Sequence, residues 1–164
     1  MQTTSISNAQ RSYMNDPKAF RERMNQRAAE LWNDGYYIMP GYEVGEFYIT
    51  TPKNEAYTVA PLNEGCTCAY QTKGGIPQVP CKHLCGMELL IGEQIRDYLR
   101  MYRQNKVANP DQAAYWKRQH DTLKAAWEDV QAQANAIEEA ARLEAEIEDG
   151  RNFMENVYAE RSIR

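Results

Sequence analysis

No stretch of this 164-residue chain approaches the roughly 20 apolar residues that a membrane-spanning helix needs. The opening segment, Met1 to Gln10, is polar and has no apolar core of signal-peptide length. The expectation is a cytoplasmic or nuclear protein, without membrane contact, whose thiols stay reduced. An excess of positive charge is also missing. The formal net charge is −4, which excludes a uniformly basic nucleic-acid binder. Catalytic fingerprints are absent as well: there is no GxSxG, HExxH, P-loop or Rossmann glycine pattern. The zinc-deaminase signature fails too, because Pro80-Cys81-Lys82-His83 has no His-x-Glu upstream. No internal repeat or low-complexity tract is present. The chain is therefore not expected to be an enzyme.

What charge there is lies unevenly. Residues 69–106 carry six Lys or Arg against three acids, a local +3, whereas residues 110–149 carry four against ten, a local −6. Such asymmetry suits two surfaces with different partners, although both can equally be solvated faces.

The fold class expected is α+β, mostly helical, in four segments: 1–45, 46–106, 110–149 and a tail, 150–164. Asp16 as cap, Pro17 at the first helical position and Gly35 at the end predict a helix over 16–34, with Phe20, Met24, Arg27-Ala28 and Leu31-Trp32 as its stripe. Residues 36–46, broken by Pro40, Gly41 and Gly45, predict a short strand or loop. Glu46–Thr50, the turn Thr51-Pro-Lys-Asn54 and Ala56–Ala60 predict a β-hairpin, with Phe47, Ile49, Tyr57 and Val59 on its apolar side. A lone hairpin is marginal in water and needs a clamp. Leu84, Met87, Ile91, Ile95, Tyr98 and Tyr102 then mark a helix from about residue 82 to 104. Asn109-Pro110 breaks the chain, and a long helix runs over 111–149 with Gly150 as its stop.

The clamp is legible between them. Cys66-Thr-Cys68, twelve intervening residues and Cys81-Lys-His83 supply two closely spaced pairs of soft or borderline ligands, the donor set of a tetrahedral structural Zn2+. The excursion 69–80 holds Gly74, Gly75, Pro77 and Pro80, which suits a loop leaving and returning to the metal. Alternatives are four buried thiols, two disulfides, or iron–sulfur ligation by Cys66, Cys68, Cys81 and Cys85. A bridge inside Cys66-Thr-Cys68 would be strained. Cys85 is a spare potential ligand that can simply pack, with Leu89 one turn on.

The Cys-x-Cys…Cys-x-His order resembles the SWIM-type zinc finger. Tyr57-Thr-Val59 closing an aromatic hairpin, and Pro80-Cys81-Lys82-His83-Leu84 opening an apolar helix, strengthen the likeness over about residues 46–100. It implies a zinc-held hairpin and helix used for DNA or protein contacts, within families that include chromatin-remodelling ATPases, Mutator-type transposases and recombination-mediator complexes. The catalytic partners of the larger members are missing from this chain.

Two interaction surfaces follow. Arg96, Arg100 and Arg103, at i, i+4 and i+7, face away from the apolar stripe of their helix and, with Lys82, form a candidate nucleic-acid surface. Tyr70 could add base stacking. Trp116, Leu123, Val130 and Ile137 recur every seven residues, with Trp127, Ala134 and Ala141 as a second seam. That stripe reads either as a surface for a protein partner or homo-oligomer through 110–149, or as packing against the chain's own N-terminal helix.

Overall fold

A computed structural model describes residues 15–63, 65–68 and 81–162, with side chains as far as Arg151. The fold is α+β and mostly helical: three helices and a four-stranded antiparallel sheet are present among the described residues. None of these helices is long and apolar enough to cross a membrane. By contacts the chain divides into two units, one ending at Val130 and the other beginning at Gln131.

Helix α1 spans Pro17–Ala29 and begins as its sequence requires: Asp16 Oδ1 accepts a hydrogen bond from Ala19 N at 2.9 Å, and Pro17 occupies the first turn, where no donor is needed. Phe20, Met24 and Ala28, four residues apart, are its buried face. The α-helix ends earlier than the expected residue 34. Residues 30–35 continue as turns, and Gly35, at φ +80°, reverses the chain. Tyr36 N donates to Leu31 O and Gly35 N to Trp32 O, the paired bonds of a glycine-terminated helix end. Gly35 is thus the terminator, placed after an irregular last turn.

The sheet is a meander, β1 (Tyr37–Pro40), β2 (Phe47–Thr50), β3 (Ala56–Ala60) and β4 (Gly65–Cys66), in that spatial order. The hairpin is present with Phe47 opposite Val59 and Ile49 opposite Tyr57. Its turn closes on Thr51, whose Oγ1 accepts from Lys53 N and Glu55 N, while Asn54 takes the left-handed conformation at φ 60°. The sequence did not reveal that the hairpin is flanked on both sides. β1 pairs Ile38 with Ile49, and β4 pairs Cys66 with Val59. Ile38, Phe47, Ile49 and Val59 are fully buried, and each such side chain contributes about 1.5–3 kcal/mol.

Helix α2 (Lys82–Asn105) buries Met87, Leu90 and Ile91 in the same core. It meets α1 at Gly86, where an added Cβ would stand 2.7 Å from Leu31 Cδ1 and 2.9 Å from Ala28 Cβ. No larger residue allows that approach.

Helix α3 runs from Pro110 to Ser162. Asn109 Oδ1 caps it by accepting from Gln112 N at 3.2 Å. The stop expected at Gly150 is not taken, so residues 150–162 are helix and not tail. A single helical glycine costs about 1 kcal/mol relative to alanine, too little to break a run of strong helix formers. In the first unit, Leu123 and Val130 are 1% and 3% exposed, and Trp127 lies edge-on to Phe47 at 6.1 Å. Trp116 stacks on Tyr98 of α2 at 5.8 Å. Leu123, Trp127 and Val130 of that stripe are therefore built into this chain's own core with residues of the sheet and α2, and Trp116 packs on α2. In the second unit Ile137 is 59% exposed, with Ala134 and Ala141 exposed as well.

Candidate metal centre

Two pieces of chain deliver the cluster. β4 ends on Cys66, directly opposite Val59, and Thr67 pins the next step: Thr67 N donates to Thr58 O at 3.0 Å, and Thr58 N donates to Thr67 Oγ1 at 2.9 Å. The residue between the two cysteines thus holds both against β3. Cys81 is the N-cap of α2, with extended φ and ψ, and its Sγ accepts from Leu84 N at 3.5 Å. His83 sits in the first turn of that helix. The positive end of the helix lies beside these sulfurs, which favours thiolate. The excursion that joins the halves, Tyr70 included, lies outside the described residues.

Cys66, Cys68, Cys81 and His83 are all buried, and their ligand atoms lie within 4.8 Å of one another. Sulfurs about 2.3 Å from a tetrahedral zinc stand roughly 3.8 Å apart, so the spread is close to that of a loaded site. His83 Nδ1 is 3.8 Å from Cys66 Sγ. The other ring nitrogen, Nε2, is buried and has no hydrogen-bond partner among the described residues, which leaves the imidazole unsatisfied by protein alone.

The electrostatics agree. Contact with Cys68, then with Cys81, and burial push the Cys66 thiol far up from its ordinary value. At Cys81 the Cys66 contact pulls downward, but Cys68 and burial outweigh it, and the thiol is pushed up to about 11. Three thiolates cannot sit together at neutral pH without a cation between them. A divalent metal removes that penalty, so the donor set fits Zn2+ and can hold it through three sulfurs and one imidazole nitrogen.

Cys85 does not join the cluster. It is half-buried on the opposite side of the helix turn, against Phe20 and Met24, and burial raises its thiol. None of the four cysteines is in a disulfide. The four-cysteine set needed for an iron–sulfur centre is not brought together.

Aromatic rings pack around His83: Tyr57 at 4.9 Å between centroids and Tyr36 at 6.0 Å. Lys82 Nζ donates to Tyr36 Oη at 2.9 Å and lies 4.6 Å from the same ring. A cleft of about 480 Å³ opens here, lined by Lys53, Glu55, Tyr57, Lys82 and His83 among others. Sequence reasoning missed this aromatic collar; the only available signal was the tyrosine density of residues 36–57.

The arginines stand where their spacing put them. Arg96 and Arg100 have side chains 65% and 66% exposed, and Arg103 is exposed. Each of the first two pairs with an acid one turn back, Glu93 and Asp97. A shallow cleft joins them to Trp32 of the turn after α1, a neighbour that no local pattern in the sequence announces.

None of the protein-family models, curated proteins or solved structures compared with the chain matches it.

Proposed function

We propose that the chain is a SWIM-type binding module whose structural Zn2+, on Cys66, Cys68, Cys81 and His83, ties β4 to the start of α2, and that it acts through its surfaces and not through catalysis. The observation that carries this reading is the convergence of four buried ligand atoms within 4.8 Å. Four protein ligands close a tetrahedral sphere and leave no position for a reactive water, the mark of a structural site. The family likeness is supported by the order hairpin, Cys-x-Cys, Cys-x-His, helix. Zinc analysis of the full chain tests the reading: one ion per chain is expected, lost in Cys68→Ser and His83→Ala. Zinc retained by both variants would remove the basis of the proposal.

The surface proposed for DNA is Lys82, Arg96, Arg100 and Arg103. Because Lys82 is engaged by Tyr36, and Arg96 and Arg100 by acids, only about two or three phosphate contacts are expected, with a log–log salt slope near −2 to −3. A shift assay at low salt should show weak duplex binding that Arg96→Glu with Arg100→Glu abolishes. A second reading, protein assembly through the long helix, is favoured by Ile137, Leu143 and Ile147, which are 59%, 47% and 62% exposed.

A further inference from the structure

The distal half of α3, from Gln131 to Arg151, is a solvent-exposed helix with an organised apolar face. Counting about 100° per residue, Ala136, Ile137, Ala140, Leu143 and Ile147 fall within an arc of about 120°. Every described residue of this stretch except Gln133 is exposed, so the three large aliphatics stand in water. The charges around them are one-sided: six acids against two arginines, a net −4. Both arginines are already engaged within the helix, Arg142 with Glu139 and Glu146, and Arg151 with Glu148. Glu144 falls inside the apolar arc, between the azimuths of Ile137 and Ile147, and no ion pair is recorded for it among the described residues.

These features decide between occupants. A second copy would align two net −4 segments along about 30 Å of helix and set acids against acids in either orientation. An acid in the seam also needs a cation across from it. We propose that this face docks a basic amphipathic helix of a different protein, whose aliphatic stripe covers Ile137, Leu143 and Ile147 and whose Lys or Arg meets Glu144. The inference rests on the protein-assembly reading and names the chemistry of its partner. Small residues at 136 and 140 permit close helix approach, and opposite flanking charge sets partner choice as it does in paired helices generally.

The test uses the zinc-loaded full chain and two synthetic peptides of about three heptads. They share one Leu/Ala stripe, flanked by Lys in one and by Glu in the other. The Lys peptide should bind one to one, and the Glu peptide at least about a hundredfold more weakly. Ile137→Ser with Ile147→Ser should weaken the Lys peptide about tenfold or more while leaving zinc content unchanged. Glu144→Lys should weaken it several-fold. Self-association of the free chain that the isoleucine pair abolishes would make a second copy the occupant and overturn the inference. So would equal binding of both peptides, or Lys-peptide binding indifferent to the isoleucine pair, since attraction would then be charge alone. These outcomes leave a protein-binding helix standing. A chain that binds neither peptide and stays monomeric refutes the assembly reading itself.

Discussion

Replacing Gly86 by alanine sets two effects of opposite sign against each other. In an open helical position the change stabilises by about 0.5–1 kcal/mol, because glycine loses more backbone freedom on folding. At Gly86 the new Cβ would meet Leu31 Cδ1 at 2.7 Å, Ala28 Cβ at 2.9 Å and Ala28 O at 3.1 Å. The leucine tip can rotate, but Ala28 Cβ and its carbonyl move only if α1 moves. Overpacking of this kind costs typically 1–3 kcal/mol. The net expectation is a loss of about 1–2 kcal/mol, or roughly 3–8 °C in Tm for the unit ending at Val130. Two internal controls share the chemistry. Gly92 would meet only Arg96 Nη1, at 3.9 Å, and Gly150 has nothing within 4 Å, so alanine should stabilise at both. Urea melts of the three zinc-loaded variants make the comparison. A Gly86→Ala protein as stable as the Gly92→Ala protein would refute the close packing of α1 on α2.

Leu123→Asp with Val130→Asp should unfold the first unit, by several kcal/mol, and not merely change its association state, because both side chains lie in the core; circular dichroism of the soluble fraction checks this. Cys85→Ser should keep one zinc per chain, and Cys81→Ser should lose it, as read by elemental analysis. Loaded and metal-free protein should respond oppositely to pH. Zinc needs deprotonated thiols, so the loaded form should lose metal and stability as pH falls. In the metal-free form the raised Cys81 thiol holds its proton more tightly when folded, so its contribution is intact below about 9.0 and lost as pH rises towards about 11. Thermal melts with and without chelator across pH 5–10 separate the two slopes, and a metal-free form that gains stability with rising pH would contradict the thiol crowding.

Local chemistry was legible where a residue acts on its own neighbours. Asp16-Pro17 announced a helix start, Thr51–Asn54 a hairpin turn, and the paired Cys-x-Cys and Cys-x-His a metal cluster, because each signal spans only a few residues. What escaped needed long-range contacts. Tyr37–Pro40 becomes a strand only because Ile38 finds Ile49, and the sequence around Pro40 and Gly41 reads equally well as loop. The heptad at Trp116, Leu123 and Val130 has the period of an interhelical seam, yet an apolar stripe looks the same whether a partner or the chain's own sheet covers it. Gly150 misled for the opposite reason: one helical glycine costs only about 1 kcal/mol relative to alanine, too little to end the run, and the helix continues to Ser162. Thr67 was hidden inside the motif, since its role depends on Thr58 lying across the strand pair.

The central claim is one metal held by three sulfurs and one imidazole, and zinc K-edge absorption of the full chain as purified measures this donor set. The account predicts three sulfurs at about 2.3 Å and one nitrogen at about 2.0–2.1 Å, with no oxygen neighbour from water. Four sulfurs would place Cys85 in the site instead of His83, and a spectrum dominated by oxygen would mean that the four residues hold no structural zinc at all.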